Sequence, residues 1–531
     1  MNRWNGWGDI QIEYPLPPAA AAYLEETIGE GQFYPDANLE QALAEVPPSR
    51  LPPNQQIITK PEDRLHHAHG QSLPDWIALR SGQISSFPDG VSYPANREEL
   101  RALLKLASST GIQVIPFGGG TSVVGHVNPL LSDAPVLTID LAHFGQLESL
   151  DERNRLATFQ AGIPGPQLEK ILNERGYTLG HFPQSFEQST LGGWIATRSC
   201  GQQSLYYGRI EDLFAGGQME TPSGRLDLPT LPASAAGPDL RQIVLGSEGR
   251  LGILTSASLR IRLLPKFEAF LGVFFPNWQA GIDALHEIVN EKSNVSMLRL
   301  SDADETKTTL ILSGKDNLVS WAERGLSILS LGPDRCLLVY AVTGDKKSSR
   351  SVLERVHGIV RAHHGLPVGR LIGNLWRKSR FYTPYLRNTL WEHGYALDTL
   401  ETAMSWSNLN IVATEIKRSI KASLEPVEER ILVFAHLSHV YRDGASLYVT
   451  YLFRRSADPH ETLHRWSTIK TVASQVILKF NGTISHQHGV GLDHLSYLQA
   501  EKGPLGIAML KSLANTVDPH QIMNPGKLFT C

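Results

Sequence analysis

The chain lacks an excess of charge of either sign: 49 Lys and Arg stand against 53 Asp and Glu over 531 residues, a net charge of −4. No basic block interrupts this mixture, so nucleic acid is not an expected partner. Cysteine is scarce. Cys200, Cys336 and Cys531 are the 3 present; they share no metal-ligand spacing and are too few for a disulfide framework, which fits a reducing compartment, the cytoplasm by default. No apolar run approaches the length of a membrane span. The opening Met1-Asn2-Arg3-Trp4 stretch has no apolar signal core, and Phe529-Thr530-Cys531 is not a peroxisomal tripeptide. Fixed-period repeats and low-complexity tracts are also missing. What remains is ordinary globular composition, 41% apolar and 19% charged, in a chain long enough for roughly two to four domains.

Within that ordinary background one stretch stands out. Pro116-Phe117-Gly118-Gly119-Gly120-Thr121-Ser122-Val123-Val124-Gly125 follows the short apolar strand Val114-Ile115. Such a turn frees backbone N–H groups to point one way and cradle an anion. It contains no Lys or Arg, so backbone donors and hydroxyls would hold that anion, which suits the pyrophosphate of a resident cofactor better than an exchanging nucleotide. An ordinary tight turn is the plainer alternative.

The pattern around this turn predicts an α+β protein. Residues 1–80 read as a proline-rich helical lead-in, with a helical patch at 19–28, that wraps the other domains. Asn96 predicts a capped helix with Glu99 at the capping-box position, Leu100, Leu103, Leu104 and Ala107 on its apolar face, and Gly111 at its end. Leu168, Ile171 and Leu172 repeat that period. Alternation over 253–261 reads as a strand that closes a cofactor domain spanning 81–265. Strands at 270–275 and 336–342 with a helix at 280–289 predict an α/β cap domain over 266–455. Helices at 458–480 and 511–517 belong to a C-terminal segment, 456–531, that completes the cofactor site.

Two further stretches match the glycine turn in type: Phe182-Pro183-Gln184-Ser185-Phe186-Glu187-Gln188-Ser189-Thr190-Leu191-Gly192-Gly193-Trp194 and Gly246-Ser247-Glu248-Gly249-Arg250-Leu251-Gly252-Ile253. Together the three resemble the FAD-binding domain of the vanillyl-alcohol oxidase and p-cresol methylhydroxylase (PCMH) superfamily. The resemblance implies a two-subdomain PCMH-type domain, with the pyrophosphate on the first motif, the isoalloxazine and ribityl chain beside the second and the adenosine half at the third. The cofactor-binding residues it implies are Pro116, Phe117, Gly118, Gly119, Gly120, Thr121 and Ser122; Gln184, Ser185, Phe186, Glu187, Gln188, Ser189 and Thr190; Thr197, Arg198, Ser199 and Cys200; and Glu248, Gly249, Arg250, Leu251, Gly252, Ile253 and Leu254. It also implies FAD held without a covalent bond, since Thr121 follows Gly120 where tethering members carry a histidine.

The chain is further similar to the alkylglycerone-phosphate (alkyldihydroxyacetonephosphate) synthase family, over almost its whole length. The residues that carry this are Arg3-Trp4-Asn5-Gly6-Trp7-Gly8, Gly180-His181-Phe182-Pro183, Tyr207-Gly208-Arg209-Ile210-Glu211-Asp212-Leu213, Gly237-Pro238-Asp239, Leu298-Arg299-Leu300, Tyr385-Leu386-Arg387, Leu400-Glu401-Thr402, Asp443-Gly444-Ala445-Ser446-Leu447-Tyr448 and Ser485-His486-Gln487-His488-Gly489-Val490-Gly491. Family enzymes exchange the acyl chain of acyl-dihydroxyacetone phosphate for a fatty alcohol without net redox, with the flavin as a covalent trap. A phosphorylated lipid precursor and a fatty alcohol are therefore the implied partners, and peripheral membrane contact and a homodimer stay open.

By pattern alone Tyr448 is a half-buried strand tyrosine sharing a face with Thr450; the resemblance implies the catalytic tyrosine that exchanges a proton with the substrate carbon. Such a phenol needs activation by a cation or hydrogen-bond donors, because burial alone raises its pKa. His486 and His488, two apart on an extended stretch, would share one face; they read as catalytic by resemblance, as solvent-facing turn residues, or as metal ligands together with His436 or His439. Gln487 stands where the family has the middle of three histidines, and an amide cannot shuttle a proton. Arg387 matches the arginine assigned to the substrate phosphate, with a helix-surface arginine as the alternative. His181 matches a position tied to activity near the flavin, or caps a loop; Arg299 matches one in the cap, or forms a structural ion pair. No metal is expected. The ending Asp518-Pro519-His520-Gln521-Ile522-Met523-Asn524-Pro525-Gly526-Lys527 is common among FAD-linked D-2-hydroxyacid dehydrogenases and oxidases, which keeps a redox alternative open.

Overall fold

The structure, a computed structural model, describes residues 2–291, 293–312 and 331–530. The helix Arg97–Thr110 forms where the sequence places it: Asn96 accepts from the Glu99 N–H, and Gly111 ends it at φ +73°. Its buried face is Leu100, Leu103, Leu104 and Ala107, one stripe at helical spacing. The capping box is only half made, because the Glu99 carboxylate accepts from the Ala95 N–H and the Asn96 side chain. This helix covers a parallel three-stranded sheet ordered Gly90–Ser92, Val136–Asp140, Gln113–Phe117. The glycine turn leaves from the end of that last strand.

A five-stranded antiparallel sheet follows, ordered Leu147–Asp151, Leu156–Gln160, Ile253–Arg260, Phe214–Thr221, Gly224–Leu228. The helix Gly165–Asn173, predicted from Leu168, Ile171 and Leu172, buries Leu168 and Leu172 near it.

The cap is a seven-stranded sheet in which every neighbouring pair is antiparallel, ordered Leu366–Gly369, Phe267–Phe275, Cys336–Gly344, Val295–Ser301, Leu432–Val440, Gly444–Arg454, Tyr395–Ser405. Register places Ser301 opposite His436, His436 opposite Tyr448, and Tyr448 opposite Glu401. Directly paired residues point to the same face of a sheet, so four polar side chains form one row across four strands. Val433, Leu437, Leu447, Val449, Tyr451 and Phe453 are buried in the same strands, each apolar side chain contributing about 1.5–3 kcal/mol, so the row stands on a rigid platform. Helices Trp406–Ser423 and Pro459–Lys479 pack against each other.

Two segments cross between these bodies. The N-terminal lead-in bonds both: Asn2 donates to Gln188 of the second motif, Ile58 pairs with Val91, and Trp7 exchanges bonds with Asn388 of the cap. The final helix is longer than the 511–517 read from sequence. It runs Leu498–Val517 with a break at Gly503, where φ is +69°, and beyond it Met523 pairs alongside Val114, the Val114 N–H donating to Ile522 O and the Asn524 N–H to Val114 O. The chain's last stretch thus flanks the strand that leads into the glycine turn.

Candidate active site

The three glycines are required by contact as well as by conformation. A Cβ on Gly118 would lie 2.3 Å from Thr190 Oγ1, one on Gly119 would lie 1.8 Å from Gln188 O, and Gly120 has φ +63°. The absence of side chains therefore lets the second motif close onto the first. Among the described residues, the N–H groups of Gly118, Gly119, Gly120 and Thr121 donate no hydrogen bond within the protein. Ser122 Oγ accepts from the His126 N–H at 3.0 Å. Free backbone donors beside a cradle that a Cβ would fill are what a pyrophosphate needs, so this chain's residues fit a dinucleotide.

The other cofactor-motif side chains divide into two groups. Ser189 accepts from the Trp194 indole at 2.7 Å, and Thr190 caps the helix Leu191–Thr197, so both fix the second motif in place. Phe186 is buried and stacks on Phe381 at 5.2 Å. Arg198 donates to Leu245 O and Gln242 Oε1. Arg250, expected at the cofactor, donates to Met523 O at 2.6 Å and lies over the Phe529 ring at 4.6 Å. Leu251, Ile253 and Leu254 are buried. Cys200 is buried too, its sulfur 3.2 Å from His439 Nδ1, and burial pushes its thiol up to about 11. In these residues the side chains close the protein itself, and much of their backbone is bonded within it as well: the N–H groups of Phe186, Ser189, Arg198 and Arg250 donate to nearby carbonyls, and Ile253 and Leu254 lie in the five-stranded sheet.

Glu248 has the most informative place. It sits at φ +52°, a region that costs a non-glycine residue, and is buried. Its carboxylate accepts from the Val490 N–H at 2.6 Å and the Gly491 N–H at 2.9 Å, with His126 Nε2 at 3.2 Å. At the other end of the same loop, Glu401 Oε1 accepts from the Gln487 N–H at 2.6 Å and the His488 N–H at 2.7 Å. Two carboxylates, one from each domain, therefore hold the loop 486–491 from both ends.

That loop carries the predicted histidines. Both converge on Glu401, His486 Nδ1 at 3.9 Å and His488 Nδ1 at 3.6 Å, in line with a shared face. His486 Nε2 lies 2.8 Å from Arg209 Nη1 and 2.6 Å from the Tyr441 hydroxyl. An arginine can only donate, so Nε2 is the acceptor and the neutral ring keeps its proton on Nδ1. Burial, then His439 and Arg209, hold this ring well below the usual histidine range. Among the described residues no group of three or more His, Cys, Asp and Glu is arranged to hold a metal ion. His439 stacks on His486 at 5.1 Å and His436 on Tyr448 at 4.9 Å, so the two residues weighed as extra ligands are ring partners.

Tyr448 is flanked by imidazoles, His436 stacked on it and His488 edge-on at 5.7 Å. Its phenol donates to Thr399 Oγ1 at 3.0 Å. Burial raises its pKa, Thr399 and the more distant Arg387 opposing only in part. Of the two activators the sequence allowed, a cation or hydrogen-bond donors, the described residues place the Thr399 hydroxyl in contact with the phenol and Arg387 farther off; the group is held protonated, a donor in its resting state. Arg299 donates to Ser301 Oγ at 2.8 Å and Glu305 Oε1 at 2.8 Å, with His436 Nδ1 at 3.1 Å. It is thus in the ion pair, and it braces the ring behind Tyr448. His181 is buried against Trp194 at 4.8 Å with Nε2 3.2 Å from Ser199 Oγ and Nδ1 without a partner; burial takes it down to about 3.

Arg387 is not a surface arginine. Its Nη1 donates to Gln71 O at 2.6 Å and its guanidinium lies over Trp76 at 4.3 Å, while Nε and Nη2 are buried without a partner. A desolvated guanidinium with two nitrogens unspent has the geometry for two-pronged contact with an oxyanion. Sequence reading missed Glu401, Arg209 and Tyr441 as site residues. A lone carboxylate in the strand run Thr399-Leu400-Glu401-Thr402 was the available signal for the first.

Residues 88–227 match the family described as FAD binding domain, and 264–528 match FAD linked oxidases, C-terminal domain. The alkyldihydroxyacetonephosphate synthase of Dictyostelium discoideum is 33% identical over 472 residues, covering 88% of this chain and 77% of that protein. The Trypanosoma brucei brucei synthase is 28% identical over 570 residues, covering 99% of this chain and 92% of its own. A solved alkyldihydroxyacetonephosphate synthase superposes with a TM-score of 0.86 over 99% of both chains at 28% identity. FAD is accordingly the cofactor. The chain belongs to the alkyldihydroxyacetonephosphate synthase family.

Proposed function

We propose that this protein is an FAD-dependent alkyldihydroxyacetonephosphate synthase. It exchanges the acyl chain of acyl-dihydroxyacetone phosphate for a fatty alcohol, releasing one fatty acid per ether formed, with no net redox. The observation that carries the reading is Arg387: a buried fork, one arm fixed on Gln71 and two nitrogens, Nε and Nη2, unspent, among described residues that offer it no carboxylate within ion-pair distance. A phosphate oxyanion meets that need.

The cradle 118–122 and the second motif would hold FAD, which when bound supplies an electron-poor ring able to take and return the substrate's electron pair. The residues do the rest. Arg387 binds the phosphate and so fixes the distance to the reacting carbon. Tyr448 takes the proton from that carbon and returns one to it; because burial holds the phenol protonated, it gives up its own proton before acting as base. His488, edge-on to Tyr448 and beside Glu401, orients the phenol. His486 offers Nδ1–H as a donor while Arg209 and Tyr441 hold its other nitrogen. The ending that suggested a hydroxyacid oxidoreductase has a structural account: Asn524 donates to Glu248 O and His126 O, and Lys527 to Asn128 O. The substrates are membrane-soluble, so the enzyme works by peripheral contact from the cytoplasmic side; no helix among the described residues is long and apolar enough to cross a membrane.

The test is direct. Holoenzyme given palmitoyl-dihydroxyacetone phosphate and hexadecanol forms the ether, and given D-2-hydroxy acids with an electron-accepting dye reduces none. Flavin bleaching by a hydroxy acid without ether product would reverse the assignment. Acid precipitation releases the flavin into the supernatant, since Thr121 cannot tether it; yellow protein in the pellet would contradict this.

A further inference from the structure

We propose that Gln71 and Trp76 of the N-terminal segment are positioning residues that set Arg387 at a fixed place relative to the cofactor cradle. The inference rests on Arg387 being the phosphate ligand. Gln71 uses every hydrogen-bonding group it has. Its N–H donates to Ser122 O in the cradle at 2.6 Å, and its carbonyl accepts from Arg387 Nη1 at 2.6 Å. Its side-chain oxygen accepts from the Trp76 indole at 2.8 Å, and its amide nitrogen donates to Gly6 O at 3.4 Å. One residue thus ties the cradle, the arginine, the aromatic platform and the opening Arg3-Trp4-Asn5-Gly6-Trp7-Gly8 motif together. The approach is close enough that a Cβ on Gly70 would lie 2.7 Å from Ser122 O.

Trp76 is 0% exposed and carries Arg387 at 4.3 Å and Arg80 at 4.9 Å; Arg80 lies 5.7 Å and Arg455 3.9 Å from the Trp391 ring. Guanidiniums and indoles therefore run in series from Arg455 to Arg387. Asp36 serves the far cations, 2.8 Å from Arg80 and 3.9 Å from Arg455. The end nearest the cradle has no such partner among the described residues, so an oxyanion completes the series there. The opening motif braces the same helix one residue on: Trp7 N–H donates to Asn388 Oδ1 and Asn388 Nδ2 to Trp7 O, each at 3.1 Å. A guanidinium laid on a ring with one arm fixed has a single orientation for its free edge, which is what two-pronged recognition of phosphate requires.

The experiment compares holoenzymes of the wild type, Trp76→Leu, Trp76→Phe and Gln71→Met. Steady-state kinetics are measured with the phosphorylated substrate, and flavin difference spectra with dihydroxyacetone phosphate and with unphosphorylated dihydroxyacetone. Trp76→Leu and Gln71→Met raise KM about tenfold, the loss expected for a misaligned charge-assisted contact, with the change in KM rather than kcat. They weaken dihydroxyacetone phosphate binding alike and leave dihydroxyacetone unaffected. Trp76→Phe, which keeps a ring face, recovers most of the loss. FAD content and Tm report on folding. Variants that hold FAD and keep the wild-type preference for the phosphorylated ligand overturn the positioning role alone. A wild type that does not distinguish the two ligands overturns the phosphate reading and this inference with it. If Trp76→Leu fails to load FAD, Gln71→Met decides by the same measure.

Discussion

In the cofactor domain, recognition is built from what is missing: Gly118 and Gly119 have no Cβ, and contacts of 2.3 Å and 1.8 Å would follow if they did. In the cap, recognition is built from side chains in register, with His436, Tyr448 and Glu401 abreast on three strands. The first kind of site binds through backbone groups that every residue has, and so tolerates no added bulk. The second depends on particular atoms and tolerates no deletion. The two halves of the molecule should therefore fail differently when altered.

The largest effect tests the cap. Tyr448→Phe removes one oxygen and should lower ether-forming turnover by about two to four orders of magnitude, with FAD content unchanged. Wild-type turnover in that variant would break the contrast. Next, in the cofactor domain, Gly119→Ala adds one methyl against the Gln188 carbonyl and should cost about 1–3 kcal/mol of stability together with most of the bound flavin, read from the absorbance ratio of purified protein. Full loading would mean that the cradle is looser than the contact implies.

The two carboxylates that clamp the histidine loop sharpen the comparison. Glu401→Gln weakens charge-assisted bonds worth about 1.5–3 kcal/mol at the cap end and should reduce turnover about tenfold with FAD retained. Glu248→Gln, at the other end, should show first as flavin loss. If both variants lost the same property, the loop would be one unit with no division of labour.

The smallest effect is on stability against pH. Burial holds His181 and His439 down to about 3 from 6.5. The unfolded chain therefore binds protons at these sites that the folded one refuses, so their stabilisation is complete above pH 6.5 and is lost as pH falls from 6.5 toward 3. Asp493, raised by burial to about 7 from 3.8, opposes this, since its folded form keeps a proton over that window. His486 and His494, held well below 6.5, act with these two histidines, and Asp302, raised to about 6, acts with Asp493; four imidazoles against two carboxyls should make Tm fall between pH 7 and pH 5, and a rise would mean that the carboxyls dominate.

The contrast also explains what could be read in the sequence. Gly118, Gly119 and Gly120 and the helix Arg97–Thr110 are local patterns, complete within one turn or one helix, and both were legible. In the row through Tyr448 the His436 pairing is a local hairpin, but Glu401 and Ser301 join from strands far off in the chain, which no window of sequence contains, and Glu401 had to wait for that pairing. For Arg250 and Glu248 the motif gives a position in the chain, while the side chain turns to the partner the fold brings near, here Met523 and the loop at Val490. Gln487 is placed, with its N–H on Glu401 and its side chain turned to His439.

Val114, the strand residue that leads into the glycine turn, has its backbone bonds completed by Ile522 and Asn524, and the buried Arg250 by Met523. On the ribosome, chains emerge N-terminus first and domains fold as they become complete. The flavin cradle, although written within the first quarter of the chain, cannot reach its native bonding until residues 522–524 have left the exit tunnel. The sheet edge at Val114 thus waits on residues 522–524, and a chain that stalled before them would expose an unfinished sheet edge instead of forming a half-working enzyme.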